Sequence, residues 1–258
     1  MTVHYEQKGA VATVIIDRPE VRNAIDRPTA RALADAFRRF DGDHSASVAV
    51  LWGTGGTFCA GADLKAVANA AGSAAPPKAT EEGDGPLGPT RMLLSKPVIA
   101  AVSGYAVAGG LELALWCDLR IAEESAVFGC FERRFGVPLI DGGTWRLPRV
   151  VGFGRALDLM MTGRPVKAHE AVAIGLATEV VPDGSARRRA EELADTISGF
   201  PQFCLRSDRW SAYHVFGMEP SDALRREAEI GLEVIRSGET AAGAARFRDG
   251  EGRHGVPS

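Results

Sequence analysis

The stretch PVIAAVSGYAVAGGLELALWCD, residues 97 to 118, contains the pattern that decides the fold. Its first part, PVIAAVSG (97–104), is a short apolar run bounded by Pro and Gly, which indicates a buried strand. A helix is predicted to begin near Gly109, shortly after that strand. Glu112 lies inside this helix in a strongly apolar run, although a glutamate is seldom fully buried without a partner. A carboxylate at that position therefore needs an explanation.

Outside this stretch, short apolar strands alternate with helical patterns from Val11 to about Phe200. Strands are predicted at VATVIID (11–17), VAVLWG (48–53) and AVFGC (126–130). A helix is predicted at TARALADAFRRF (29–40), where apolar residues recur at helical spacing. Repeated strand–helix units of this kind predict an α/β fold with much parallel strand pairing.

The chain is predicted to contain two regions and one insertion. Residues 1–200 carry the strand–helix units, and residues 201–258 carry helical patterns without a convincing strand. The segment 67–89 is rich in Ala, Gly and Pro, which predicts a mobile surface insertion. Within it, GDGPLG (83–88) matches the dinucleotide pattern G-x-G-x-x-G, but it follows no strand and Pro86 lacks an amide. We therefore reject a dinucleotide site there.

Composition excludes several classes of function. The 258 residues are 45% hydrophobic and 24% charged, which is typical of one large soluble domain with or without an appendage. The net charge of −3 gives no nucleic-acid footprint. No apolar run is long enough to span a membrane, and the first ten residues, MTVHYEQKGA, lack the apolar core that a signal peptide has. Because the cysteines and histidines show no ligand-like spacing, we expect reduced thiols, no metal site and a cytoplasmic location.

Two glycine-rich turns are candidates for binding a ligand through main-chain amides. In GTGGTFCAGADLK (53–65), small residues let a ligand approach the backbone, and Asp63 can start the next helix. In SGYAVAGGLELAL (103–115), a helix N-terminus near Gly109 has unpaired amides and a positive dipole end, which favour an oxyanion. One amide from each turn, meeting at one point, would form an oxyanion hole. The alternative is that these glycines only permit close packing.

Taken together and in order, these segments resemble the crotonase (enoyl-CoA hydratase/isomerase) superfamily. The resemblance implies an α/β fold, a crotonase-like spiral of repeated ββα units, with a C-terminal helical trimerisation region. It implies a homotrimer or a dimer of trimers, and an acyl-CoA thioester as substrate. No separate cofactor is implied, because coenzyme A is part of the substrate. The segments that carry the resemblance are RPEVRNAID (18–26), FCAGADLK (58–65), SGYAVAGGLELALWCD (103–118), AVFGCFERRFGVPLIDGGTWRLPRVVG (126–152) and GRALDLMMTGRPVKAHEAVAIGLATEVV (154–181).

Carried over position by position, the resemblance implies specific roles in the site. The oxyanion donors are the amides of Ala62 and Gly109, and the catalytic glutamates are Glu112 and Glu132. We assign Glu112 to holding and deprotonating water and Glu132 to delivering a proton at Cα of the acyl group. The coenzyme A part of the substrate is expected to contact Arg22, Ala24, Ala60, Asp63, Leu64 and Lys65.

Each glutamate also has an alternative, purely structural role. Glu112 could form a salt bridge to a buried arginine. Glu132 could pair with Arg133 or Arg134 on a surface turn. A third alternative is a non-catalytic protein. Burying two carboxylates in an apolar cleft costs free energy, and a non-catalytic protein would gain nothing from that cost, so the two glutamates argue against it.

The turn VPLIDGGT (137–144) departs from typical hydratases, which have small residues where this chain has Ile140 and Asp141. An extra carboxylate at Asp141 resembles dienoyl-CoA isomerases of the superfamily, although it is displaced by one position. Ile140 is expected to narrow the water pocket, and the insertion 67–89 lies where the family varies its acyl-binding wall. The resemblance predicts an enoyl-CoA hydratase. It leaves open an enoyl- or dienoyl-CoA isomerase, thioester hydrolysis or decarboxylation, and a non-catalytic acyl-CoA-binding member.

Overall fold

The computed structural model describes residues 2–70 and 83–250. Its contacts divide the chain into two compact units, Met1–Asp195 and Thr196–Ser258, close to the predicted division after residue 200. In chain order the strands are β1 (Val3–Lys8), β2 (Val11–Ile16), β3 (Val48–Gly53), β4 (Val98–Val102), β5 (Tyr105–Val107), β6 (Leu119–Glu123), β7 (Val127–Gly129), β8 (Val166–Lys167) and β9 (Glu179–Val181). The helices are α1 (Arg27–Gly42), α2 (Leu64–Ala70), α3 (Gly109–Trp116), α4 (Gly143–Val151), α5 (Phe153–Thr162), α6 (Ala168–Ala173), α7 (Ala186–Ser198), α8 (Gln202–Val215), α9 (Pro220–Arg236) and α10 (Glu239–Asp249).

The first unit contains two sheets. The larger sheet has the strand order β1-β2-β3-β4-β6-β9, and only its β1–β2 pair is antiparallel. The smaller sheet has the order β5-β7-β8, with β5 and β7 parallel. Strands β2 and β4 are buried along their whole length, as expected for strands in the interior of a parallel sheet. The predicted α/β organisation is therefore confirmed.

Successive turns of the chain supply a strand to each sheet and then a helix. Strand β4 is followed by β5 and α3, and β6 is followed by β7 and a short 3₁₀ helix, Phe131–Phe135. The segment after β3 repeats this arrangement, because Cys59 forms a parallel bridge with Ala106 of β5. Sequence analysis missed β5, since three residues between two glycine-containing turns are too few to show a period.

Helix α1 shows how the local sequence fixes these elements. The Asp26 carboxylate accepts a hydrogen bond from the Thr29 amide at 2.9 Å, which caps the helix N-terminus. The buried face of the helix includes Leu33, Phe37 and Phe40. The Phe37 ring packs edge-on against Trp116 of α3, with centroids 4.7 Å apart. The predicted helix at 29–40 is confirmed and extends two residues further at each end.

The prediction that residues 67–89 form a mobile surface insertion is wrong for residues 85–89, which are mostly buried. Residues 67–70 belong to α2, and a 3₁₀ helix begins at Pro89. Leu87 is buried because its apolar side chain packs against the core. The amide of Gly85 donates to the Gly88 carbonyl, and the amide of Gly88 donates to the Gly85 carbonyl. These two hydrogen bonds close a tight turn. Residues 71–82 lie outside the described residues, so the prediction is untested there.

The second unit contains α8, α9, α10 and the end of α7, and its described residues, 196–250, include no strand. The expected helical character of this region is confirmed. Among residues 2–70 and 83–250, no helix has both the length and the apolar character that crossing a membrane requires.

Candidate active site

The two glycine-rich turns lie side by side. The Cys59 amide donates to the Tyr105 carbonyl at 2.9 Å, and the Val107 amide donates to the Cys59 carbonyl at 3.1 Å. A methyl group at Gly61 would lie 2.8 Å from the Gly109 nitrogen, and one at Gly110 would lie 2.0 Å from the Cys59 carbonyl oxygen. Glycine is therefore required for the turns to approach each other. Close packing of the two turns is confirmed, and the oxyanion hole stays a prediction.

The backbone on either side of the predicted oxyanion donors is held firmly. Ala108 has φ 54° and ψ −130°, an uncommon conformation for a residue with a side chain, and its amide donates to the Gly129 carbonyl at 2.8 Å. The main chain of Ile25 bonds to the residues on both sides of Ala62. Its carbonyl accepts from the Asp63 amide at 2.9 Å, and its amide donates to the Gly61 carbonyl at 2.8 Å. No acceptor for the amide of Ala62 or Gly109 is found within the described part of the chain. Both amides are therefore candidates for binding a ligand.

Glu112 is buried, with 3% of its surface exposed, and is held by two main-chain donors. Its Oε1 accepts from the Asp141 amide at 2.9 Å and from the Gly143 amide at 2.8 Å. A methyl group at Gly143 would lie 2.9 Å from the same oxygen, so glycine permits this approach. Burial raises the pKa of Glu112 from 4.5 to about 7, which the Gly143 hydrogen bond opposes. The alternative salt bridge to a buried arginine is wrong, because the observed partners are amides.

Glu132 lies in the 3₁₀ helix after β7 and is also buried, at 4% exposure. Neither carboxylate oxygen has a hydrogen-bond partner among the described residues. Burial raises the pKa of Glu132, and the positive charge of Arg133 opposes this shift. Arg133 donates to the Met160 carbonyl and Arg134 to the Gly163 carbonyl, so neither arginine pairs with the carboxylate. The alternative of a surface ion pair is wrong.

The two glutamates differ in a way that suits acid–base chemistry. Two amide donors from other residues favour the ionised form of Glu112, whereas the Glu132 carboxylate makes no hydrogen bond to another residue and only its own amide and Arg133 favour its charge. The charge of Glu132 also raises the pKa of Glu112, so the two carboxyl groups interact. Two interacting buried carboxyl groups of this kind can together hold one proton, and which of the two carries it stays a prediction from the sequence.

Asp141 is adjacent to Glu112 but its side chain has partners of its own. Its Oδ1 accepts from the Leu87 amide at 3.0 Å and from the Thr90 hydroxyl. Burial raises the pKa of Asp141, which the Thr90 and Leu87 hydrogen bonds oppose. Ile140 is 52% exposed, and its expected narrowing of the water pocket stays a prediction.

The residues predicted to contact coenzyme A lie on two adjoining segments. The Ala60 amide donates to the Arg22 carbonyl at 3.1 Å, which joins residues 22–25 to residues 60–63. Asp63 caps α2 through the amides of Lys65 and Ala66, as its sequence position predicts. Arg22, Leu64 and Lys65 are exposed, Ala60 and Asp63 are partly exposed, and Ala24 is buried. Their contact with coenzyme A remains a prediction.

Sequence analysis missed Asn23, a buried residue with φ 55°. Its Oδ1 accepts from the Arg18 amide at 2.8 Å, and its Nδ2 donates to the carbonyls of Thr54 at 2.8 Å and Thr57 at 2.6 Å. It thereby fixes the turn that leads into the first oxyanion segment. The available signal was an asparagine in a loop, since asparagine tolerates a left-handed backbone better than most residues.

Comparisons with known proteins agree with this geometry. Residues 6–207 match the enoyl-CoA hydratase/isomerase family, and the chain belongs to that family. The chain is 36% identical over 251 residues to the enoyl-CoA hydratase EchA19 of Mycobacterium tuberculosis, covering 95% of this chain and 92% of that protein. It is 41% identical over 199 residues to the carnitinyl-CoA dehydratase of Proteus mirabilis, covering 76% and 74% of the two chains.

A solved structure shows the same fold. The crystal structure of an enoyl-CoA hydratase from Mycobacterium tuberculosis H37Rv matches with a TM-score of 0.89 at 35% identity, over 96% of each chain. An enoyl-CoA hydratase from Mycobacterium marinum matches with a TM-score of 0.88 at 34% identity, again over 96% of each chain. The predicted membership of the crotonase superfamily, and its fold, are confirmed.

Proposed function

We propose that this protein is an enoyl-CoA hydratase, which adds water across the 2,3 double bond of a 2-enoyl-CoA thioester. One observation carries the proposal: two buried carboxyl groups, one bound by two amides and one by none, lie in one compact unit with two turns that have free amides. The names of the relatives and the family match support the same activity.

The amides of Ala62 and Gly109 bind the thioester oxygen as negative charge develops on it. Attack of water at Cβ produces an enolate, and a pair of fixed donors stabilises that charge without reorganising. Each such donor typically lowers the barrier by roughly 3 kcal/mol. Because both donors belong to the main chain, side-chain substitutions elsewhere in the site leave them in place.

The two glutamates supply the proton transfers. Ionised Glu112 takes one proton from water as the water oxygen bonds to Cβ of the substrate. Glu132 gives its proton to Cα, so that the product contains both hydrogens and the oxygen of one water molecule. Transfer of the proton from Glu112 back to Glu132 restores the starting state. The reverse sequence removes water, which is the reaction class named for the carnitinyl-CoA dehydratase relative.

The proposed reaction involves no oxidation or reduction, and coenzyme A arrives as part of the substrate. We propose that its polar end lies along Arg22, Ala24 and Ala60, and its pantetheine part along Asp63, Leu64 and Lys65. Within residues 2–70 and 83–250, no group of three or more His, Cys, Asp or Glu side chains is arranged to hold a metal ion. A cytoplasmic location remains a prediction from the sequence.

We propose that the protein assembles as a homotrimer or a dimer of trimers. Large apolar side chains are exposed in both compact units. Exposed apolar surface of this kind is commonly covered by a neighbouring subunit, which supports the proposal. In the first unit these residues include Phe135, Phe153 and Met161, at 69%, 70% and 68% exposure. In the second unit they include Phe216, Leu224, Ile235 and Phe247, at 59%, 66%, 59% and 61% exposure.

The test is to incubate the purified protein with 2-enoyl-CoA thioesters of increasing chain length. Loss of the conjugated-thioester absorbance is followed, and the product is identified by mass spectrometry. A hydratase gives a product heavier by one water, and the Glu112→Gln and Glu132→Gln variants form it far more slowly. Loss of absorbance without a change in mass would instead establish an isomerase. No change with any chain length would overturn the proposal.

A further inference from the structure

A tight turn, Gly85–Thr90, is fastened to the active site by Asp141. We call these residues the 85–90 turn. The Asp141 Oδ1 accepts from the Leu87 amide at 3.0 Å and from the Thr90 hydroxyl. Arg146 strengthens this connection, since it donates to the Thr90 carbonyl at 2.7 Å and to the Asp141 carbonyl at 2.9 Å. The segment GDGPLG, which only imitates a nucleotide-binding pattern, thus donates an amide to a carboxylate of the same chain.

The 85–90 turn packs directly on the second oxyanion turn. A methyl group at Gly109 would lie 2.5 Å from Leu87 Cδ1, so the Leu87 side chain covers the residue whose amide is the predicted donor. Leu87 is buried, at 2% exposure. Any shift of the 85–90 turn therefore changes the space beside the thioester carbonyl.

Asp141 is also joined to the catalytic machinery through its main chain. Its amide donates to Glu112 Oε1 at 2.9 Å, while its carboxylate binds the 85–90 turn. One residue therefore connects the base to the wall of the acyl site. Asp141 Oδ1 accepts hydrogen bonds from two groups of the turn. These bonds suit a carboxylate that holds the turn in place better than a base that takes a proton from the substrate.

We propose that Asp141 is a positioning residue whose carboxylate anchors the 85–90 turn, and that Leu87, held by this anchor against Gly109, determines which acyl groups fit beside the thioester. The inference rests on the proposed function, because it takes the thioester to bind at the Gly109 amide. It differs from the isomerase alternative, in which Asp141 would itself exchange protons with the substrate.

Three variants separate the two effects of the Asp141 side chain, its hydrogen bonds to the 85–90 turn and its negative charge. Asp141→Asn keeps an oxygen that accepts from Leu87 and Thr90 but removes a negative charge. Asp141→Ala removes both. Gly85→Ala keeps the charge but disturbs the turn, since its methyl group would lie 1.9 Å from the Thr90 hydroxyl oxygen and 2.9 Å from Asp141 Oδ1.

Hydrogen exchange of the Leu87 amide measures whether the Asp141 carboxylate holds the 85–90 turn, and it needs no catalytic turnover. The amide of Leu87 should exchange faster in Asp141→Ala and Gly85→Ala, and at the wild-type rate in Asp141→Asn. Calorimetry with butyryl-CoA should show affinity falling roughly ten- to hundredfold in Asp141→Ala, because part of the population no longer has an ordered turn. Unchanged exchange and affinity in Asp141→Ala would overturn the anchoring role.

The pH dependence of hydration measures the effect of the Asp141 charge on the pKa of Glu112. The titratable and charged groups that interact with Glu112 are Asp141, Glu132 and the Cys130 thiol. Those that interact with Asp141 are Glu112, Arg91, Arg146 and the Cys59 thiol. Removing the Asp141 charge should move the acid limb of the kcat/KM profile to lower pH in Asp141→Asn, with kcat/KM at the optimum within about fivefold of wild type. Gly85→Ala should leave that limb in place. Complete loss of turnover in Asp141→Asn with normal Leu87 exchange would make Asp141 a chemical participant and overturn the proposal.

Leu87→Ala tests the specificity. Its affinity for branched isobutyryl-CoA relative to linear butyryl-CoA should rise about tenfold or more, the range expected when a pocket gains room for one methyl group. An unchanged ratio would overturn the assignment of Leu87. These binding and exchange measurements decide the inference even if the wild-type protein hydrates no enoyl-CoA, a result that would refute only the proposed function.

Discussion

Glu112→Gln should make the folded protein more stable at alkaline pH while it removes catalysis. The buried carboxyl group has a pKa of about 7 in the folded protein, against an ordinary value of 4.5. Gln retains an Oε1 that accepts from the Asp141 and Gly143 amides, so the substitution changes mainly the charge. The free energy of unfolding therefore responds to pH through this one group.

The sign follows from proton binding. The folded state binds the Glu112 proton more tightly than the unfolded chain does, so the contribution to stability is fully present below about pH 4.5 and is lost as pH rises through about 7. A shift of roughly 2.5 pKa units corresponds to about 3 kcal/mol. Relative to Glu112→Gln, the wild-type protein should lose up to about 3 kcal/mol between these limits.

Urea denaturation at one protein concentration and at pH 5, 6, 7 and 8 measures this difference. Glu20→Gln makes the same chemical change on an exposed residue and controls for the substitution itself. Hydration by Glu112→Gln should fall about 10²–10⁴-fold at every pH, which separates stability from activity. A stability difference from wild type that is equal at pH 5 and pH 8 would refute the reasoning, because an ionised buried carboxylate would then carry no penalty.

Glu132→Gln should reduce hydration by about 10²–10⁴-fold while calorimetric affinity for acetoacetyl-CoA stays within a few-fold, and a matching loss of affinity would contradict its role as an acid. Gly143→Ala should lower both kcat and the free energy of unfolding from urea denaturation, the latter by about 1–3 kcal/mol, because its methyl group collides with Glu112 Oε1; wild-type kcat would count against the two-amide arrangement. Asn23→Ala should lower the free energy of unfolding by about 2–4 kcal/mol through loss of three buried or part-buried hydrogen bonds, and a change below about 1 kcal/mol would show that other partners replace these bonds. Light scattering should give a trimer or hexamer, and a monomer at micromolar concentration would exclude the proposed assembly.

The sequence could predict what depends on local pattern. The apolar period of α1, the buried run of β3 and the glycines of the two oxyanion turns are all local, and each lies where it was expected. Glu112 was identified because a carboxylate interrupts an apolar helix. Its partners were not, since the amides of Asp141 and Gly143 are about thirty residues further along the chain.

The failures have the same origin. Composition predicted that residues 67–89 are mobile throughout, yet Leu87 is held by a carboxylate 54 positions away. Asn23 reaches carbonyl groups 31 and 34 positions away, so no short stretch of sequence contains the reason for its burial. The role of Glu132 came from resemblance to a family rather than from its neighbours, which are charged and typical of a surface turn.

The backbone of Ala108 has a consequence for how rigid the site is in the absence of substrate. Replacing Ala108 by glycine would relieve a strain of about 1–3 kcal/mol, but glycine also gives the unfolded chain about 0.5–1 kcal/mol more conformational entropy. These effects oppose each other, so alanine is not required for thermodynamic stability. Its Cβ instead removes alternative conformations from the peptide that precedes Gly109. An alanine here keeps the Gly109 amide in one direction before any ligand arrives.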